Sequence, residues 1–134
     1  MTLGALGALA LLGACARPEP PARAPDFEGV VLGRTPRLDA PPVAPRLLLA
    51  ERAWTAAPGV EAPDAARVTV EVGSEAQVLE QRPDGGYRPA ETSDAWVGRG
   101  VRVWYAAGAA RGGGPGPAPT ALRPVAAIVV APAP

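Results

Sequence analysis

Hydrophobic and polar residues alternate strictly in two short stretches of the chain, a pattern typical of half-buried β-strands. The stretch RVTVEV at 67–72 places its three valines on one side and its threonine and glutamate on the other. The stretch VRVWY at 101–105 places two valines and a tyrosine on one side, and an arginine and a tryptophan on the other. An apolar run near the C-terminus predicts a further strand. From the three stretches together, we expect the following side chains to point into the core: Val68, Val70, Val72, Val101, Val103 and Ile128.

Other apolar runs of strand length are separated by strong turn residues. The sequence Pro83-Asp84-Gly85-Gly86 predicts a hairpin turn, and Thr92 or Ser93 is expected to cap one helical turn within 91–97. Pro- and Gly-rich stretches at 38–45, 56–65 and 107–118 predict loops. No 3.6-residue period is evident, so we expect an all-β fold over 27–130, a small antiparallel OB-like barrel of five to seven short strands. The further strands are predicted at 27–34, 46–51, 76–81, 87–88 and 125–130.

The N-terminus has the pattern of an export signal. Residues 3–14 (LGALGALALLGA) form an uncharged run that is too short to span a bilayer but suits the apolar core of a signal peptide. The run ends in Leu-Gly-Ala-Cys at 12–15, which resembles the bacterial lipobox, so Cys15 is the expected lipidated residue. No Lys or Arg precedes the run. An uncleaved signal-like segment and a short buried helix with an inert cysteine are the alternatives.

The residues after Cys15 fit a tether between a membrane and a folded body. Residues 16–25 (ARPEPPARAP) contain four prolines, which favour polyproline II and exclude a helix. The predicted organisation is a signal peptide at 1–14, a lipidated cysteine and Pro-rich tether at 15–26, the barrel at 27–130 and a disordered tail at 131–134. The expected location is the cell envelope, on the periplasmic face of an outer membrane in a two-membraned host and on the outer leaflet of the cell membrane otherwise.

Composition excludes several kinds of chemistry. The chain has 134 residues, no His, one Cys and a net charge of zero. The lack of His excludes His-based triads, and with a single Cys no metal site or cofactor is expected. Zero net charge argues against nucleic acid, although Arg102 beside Trp104 is the kind of cation–aromatic pair that a single strand stacks on. Five carboxylates, at Glu71, Glu75, Glu80, Glu91 and Asp94, could in principle serve a glycoside hydrolase, but their positions predict solvent faces and turns.

Part of the body resembles a known family. The segment VGRGVRVWY at 97–105, the closing run AAIVV at 126–130 and the leading Glu-Gly-Val-Val at 28–31 resemble the YobA-type family of small exported OB-like barrels of unknown function. The resemblance covers about half of the chain. It implies a fold and export, and it implies no activity. The long Pro-rich stretches at 35–45 and 107–119 depart from that pattern and affect how the barrel would close.

Three classes of function follow from these features. The first is a non-catalytic binding module on the envelope, a monomer whose partner, a protein or a glycan, would contact Arg102, Trp104 and Trp96, because Trp and Arg are enriched at binding hot spots. The second is a structural or envelope-maintenance lipoprotein without a discrete ligand. A carboxylate-based hydrolase is a distant third. The binding module predicts an exposed aromatic patch, whereas the structural protein predicts that the barrel buries its aromatic rings.

Overall fold

A computed structural model describes residues 17–54, 65–106 and 122–133, and within these ranges the protein is all-β apart from one 3-10 turn. Valine, which favours strands, is the commonest apolar residue of the strands. The strands are β1 Phe27–Thr35, β2 Leu38–Asp39, β3 Pro42–Val43, β4 Arg46–Glu51, β5 Arg67–Glu71, β6 Gln77–Gln81, β7 Tyr87–Pro89, β8 Gly100–Tyr105 and β9 Leu122–Val130. The 3-10 turn spans Asp94–Trp96, and the Ser93 side chain caps it by accepting a hydrogen bond from the Ala95 amide.

Five of the strands close into a barrel, which confirms the predicted fold class. The ring runs β5-β4-β1-β8-β9 and returns to β5. Its first four contacts are antiparallel, and the closing β5–β9 contact is parallel. Strand directions cannot alternate all the way round a ring of five, so one pair must be parallel. The barrel is therefore antiparallel except at this seam.

Strand β9 pairs with two different strands along the same edge. Its first residues, from Leu122 to Pro124, pair with β5, and its last, from Ala127 to Val130, pair with β6. The chain leaves the barrel after β5, turns at Gly73 and rejoins β9 as β6, which then forms the predicted hairpin with β7. This hairpin widens the sheet beyond the barrel and creates a second, outward-facing apolar surface.

The core lies inside the barrel and contains every residue predicted to point inward. The fully enclosed side chains come from β1, β4, β5, β8 and β9, and strict alternation along β8 puts Val101, Val103 and Tyr105 into the same cluster. The members of this main core are Val31, Leu47, Leu49, Val68, Val70, Val72, Trp96, Val101, Val103, Tyr105, Val125, Ile128 and Val130.

Two local differences from the sequence prediction have clear causes. The stretch 38–45, predicted as a loop, contains the two-residue hairpin β2–β3, whose strands are too short to show any periodicity. Strand β9 begins at Leu122 and not at 125, because Pro124 lies where its missing N–H is tolerated and its carbonyl still accepts from the Ala106 amide. The predicted signal peptide, Cys15, residues 56–64 of the loop predicted at 56–65, and the loop predicted at 107–118 lie outside the described residues.

Candidate functional site

The three predicted partner-binding residues do not form one exposed patch. Trp96 belongs to the main core inside the barrel and is only 3% exposed. Trp104 lies on the opposite face of β8, also 3% exposed, in a second cluster with Leu79, Ala127 and Val129. Arg102 lies between them in sequence but is partly buried in other contacts. Neither tryptophan ring is available to a partner in this structure.

Arg102 is held by a carboxylate and an aromatic ring. Its Nε donates to Glu28 Oε2 at 2.8 Å, and its guanidinium carbon lies 4.3 Å from the centroid of the Trp54 ring. Glu28 Oε1 in turn accepts a hydrogen bond from the Trp54 amide. These contacts join β1, β8 and the chain that follows β4, so Arg102 contributes to the rim of the aromatic surface as a packed and paired side chain.

The predicted tether covers Trp104. The indole Nε1 of Trp104 donates to the Arg23 carbonyl at 2.8 Å, and Gln77 Nε2 donates to the Glu19 carbonyl at 2.8 Å. The alternation in 101–105 turns Trp104 outward, and the sequence offers three covers for it: the Pro-rich loop at 115–119, Pro124 or a partner. The described cover is instead this N-terminal segment, and the loop at 115–119 lies outside the described residues.

Asp26 fastens the end of this segment to β8. Its carboxylate accepts from the Tyr105 amide at 2.8 Å and from Arg23 Nη1 at 2.9 Å. Burial alone would raise the pKa of Asp26, but the Tyr105 amide and the Arg23 guanidinium more than compensate and hold that pKa below 3.8. The group is therefore ionised at neutral pH and acts as a structural acceptor.

Three of the five carboxylates considered for hydrolysis, Glu71, Glu80 and Asp94, are paired with arginines. Arg99 and Arg88 both donate to Glu80, and these hydrogen bonds hold the pKa of Glu80 below 4.5, which makes it a poor general acid. Glu71 lies 3.9 Å from Arg46 Nε, and Asp94 lies 3.3 Å from Arg34 Nη1. This arrangement gives no support to a pair of catalytic acids among the described carboxylates.

A cavity of about 560 Å³ opens at one end of the barrel, and we call it the mouth cavity. The β2–β3 hairpin, the turn after β5 and the chain after β7 surround it. Its inner wall is apolar, since Val72 is buried and Val78, Ala76 and Ala90 pack against the main core. Its size falls within the range of small-molecule sites. Its lining includes Arg34, Val72, Ala76, Val78, Ala90 and Thr92.

Arg34 lines the mouth cavity together with the polar residues Arg37, Ser74, Glu91 and Thr92. It is 17% exposed, and it donates through Nε to Thr92 Oγ1 at 3.2 Å and through Nη1 to Asp94 Oδ1 at 3.3 Å. A guanidinium has five N–H donors, so these two bonds leave donor capacity that can face a ligand. No local sequence motif points to Arg34, because its partners lie 58 and 60 positions away.

The described residues hold no group of three or more His, Cys, Asp or Glu side chains that could bind a metal ion. Over the same part of the chain, no helix is long and apolar enough to cross a membrane.

Known proteins offer no further guide to the site. No family model, no curated protein sequence and no solved structure matches the chain.

Proposed function

We propose that this protein is an exported, lipid-anchored and non-catalytic binding module of the cell envelope, and that the mouth cavity is its ligand site. The anchor is proposed from the Leu-Gly-Ala-Cys sequence at 12–15 and the prolines that follow it. The observation that carries the binding proposal is the combination of an apolar wall with the Arg34 guanidinium at one cavity. That combination suits a small ligand with an apolar body and one anionic group.

The fluorescent probe 8-anilinonaphthalene-1-sulfonate has this chemistry and tests the cavity directly. We expect the wild-type chain to bind it at a single site. Ala76→Trp should abolish binding because the indole fills the cavity, whereas Ala126→Trp, on an exposed part of β9, should leave binding unchanged. Arg34→Gln should weaken binding by at least about tenfold, since a charge-assisted hydrogen bond contributes about 1.5–3 kcal/mol.

Unchanged probe binding by a folded Ala76→Trp variant would remove the mouth cavity as the site. Thermal unfolding of each variant, compared with the wild type, separates a filled cavity from a damaged fold.

The membrane anchor is tested separately by mass spectrometry of the native protein. We expect the mature chain to begin at a diacylglycerol-modified Cys15 and to fractionate with membranes, and Cys15→Ala to release it. An intact Met1 terminus or a free thiol at Cys15 contradicts the proposal.

A structural envelope lipoprotein is the second candidate, and one observation favours it. Both Trp96 and Trp104 are buried, which is the outcome expected if the barrel uses its aromatic residues for packing. Probe and ligand screens that show no binding to the mouth cavity of the folded wild-type chain would favour this function over the binding module.

A further inference from the structure

The outer face of the barrel carries an aromatic groove that the protein fills with its own proline-rich segment. We call residues 19–25 the cis segment, because they belong to the same chain as the groove. All of these residues are described, and they form no helix or strand. Trp104 Nε1 and Gln77 Nε2 hold the segment by donating to its backbone carbonyls. The groove is formed by Trp54, Tyr87 and Trp104 over a base of Leu79, Ala127 and Val129.

The contacts in the groove suit prolines in general. Pro20, Pro21 and Pro25 line the same small cavity as the three aromatic rings. Proline lacks an N–H, so a groove that only donates to carbonyls loses nothing when it binds a proline-rich chain. The fixed φ of proline also lowers the entropy lost on binding, which is why aromatic grooves recur as binding sites for such chains.

One polar subsite adds a preference for arginine. Arg23 of the cis segment donates to Asp26 Oδ2 at 2.9 Å and to the Tyr105 carbonyl at 3.3 Å. A guanidinium at that position of a bound chain meets a carboxylate that is ionised at neutral pH. The groove thus combines aromatic rings for prolines with a carboxylate for one arginine.

The cis segment does not fill the groove completely. A cavity of about 310 Å³ remains between it and the surface formed by Glu28, Arg102 and Trp104. The Arg102 guanidinium stacked on Trp54 lines that space.

We propose that this groove binds a proline-rich, arginine-containing peptide of a partner protein, and that the cis segment is its built-in competitor. A segment joined directly to β1 has an effective concentration of the order of millimolar, so it occupies the groove until a tighter ligand displaces it. Displacement by such a peptide would release the cis segment itself from the barrel surface. This inference is independent of lipidation at Cys15 and of the mouth cavity.

The experiment uses the full chain and a labelled synthetic peptide with the sequence of residues 17–26, RPEPPARAPD. A variant with Pro20→Gly, Pro21→Gly and Arg23→Gly weakens the cis segment and leaves every groove residue in place. We expect fluorescence anisotropy to show at least tenfold tighter binding of the peptide to this variant than to the wild-type chain. Adding Trp104→Phe to the variant should weaken binding again, and a control peptide with Ala in place of every proline should bind poorly.

Three results would overturn the proposal. One is equal affinity of the peptide for the wild-type chain and the variant. Another is a lack of peptide binding to a variant whose unfolding temperature equals that of the wild type. If the triple variant does not fold, Arg23→Ala replaces it under the same criteria, because it retains every proline. The third is a wild-type dimer at concentrations where the variant is monomeric, which would identify a second copy's segment as the occupant.

Discussion

The indole N–H of Trp104 donates to the main-chain carbonyl of Arg23 across 81 positions of sequence, at 2.8 Å. This bond joins the last part of β8 to a segment that precedes the first strand. A buried indole N–H without a partner would cost about 1–3 kcal/mol, so the segment satisfies a requirement that the barrel itself creates. The N-terminal segment is therefore part of the folded unit from Glu19 onward.

Trp104 is expected to contribute mainly through packing. Trp104→Ala should lower the free energy of unfolding by about 3–5 kcal/mol, because it empties the second cluster. Trp104→Phe retains most of the apolar contact and loses the bond to Arg23, so it should cost only about 1 kcal/mol. Urea unfolding measures both. A Trp104→Ala variant that is as stable as the wild type, but no longer recovers a partner from envelope extracts, would instead support a binding role.

Neighbouring residues on β5 test which side of the strand faces the core. Val70 is completely buried, whereas Thr69 is partly exposed. Val70→Asp should prevent folding, because it places an unpaired charge in the main core. Thr69→Asp should change the free energy of unfolding by no more than about 1 kcal/mol. Circular dichroism and urea unfolding distinguish the two outcomes, and equal effects would contradict the side assigned to each residue.

Two glycines of β1 provide a matched pair for testing close packing between strands. A Cβ at Gly29 would lie 2.4 Å from the Ala50 carbonyl oxygen and 2.6 Å from a Phe27 ring carbon, whereas a Cβ at Gly33 would meet nothing within 4 Å. Gly29→Ala should therefore destabilise the protein by about 1–3 kcal/mol or more. Gly33→Ala should be neutral or stabilise it by up to about 1 kcal/mol, because it restricts the unfolded chain. Thermal unfolding curves in which Gly29→Ala is neutral would contradict this packing.

Glu80 should make stability depend on pH. Its side chain is 14% exposed and bonds Arg99 and Arg88, and Arg99 also donates to the Ala131 carbonyl beyond β9. The folded pKa of Glu80 is below 4.5, so its contribution is fully present above 4.5 and is lost as the pH falls through the lowered value. Glu80→Gln should cost roughly 1–3 kcal/mol at neutral pH, and the difference from wild type should shrink in acid.

The control for Glu80 is Glu75→Gln, an exposed carboxylate in the turn after β5. Urea unfolding at neutral pH and below pH 4.5 should show little change for this variant at either pH. A pH-independent difference between Glu80→Gln and the wild type would contradict the role assigned to the ion pairs.

Local sequence patterns were sufficient for the longer strands and for the side that the alternating residues take. The alternation in 67–72 and 101–105 predicted the inward valines, and it predicted that Trp104 would face outward beside Arg102. Alternation has this power because successive side chains of a strand point to opposite faces whatever the strand packs against. The hairpin turn and the Ser93 cap were also predictable, since each depends on residues close together in sequence.

Contacts between distant parts of the chain were decided only by the tertiary structure. The parallel seam between β5 and β9 follows from the number of strands in the ring, and no single stretch of sequence encodes that number. Arg34 reaches Thr92 and Asp94 only because the barrel brings the end of β1 beside the chain that follows β7. Likewise, alternation shows that Trp104 needs a cover, but the cover comes from prolines that precede β1. Local sequence specifies the direction of a side chain, whereas its partner depends on how the whole chain closes.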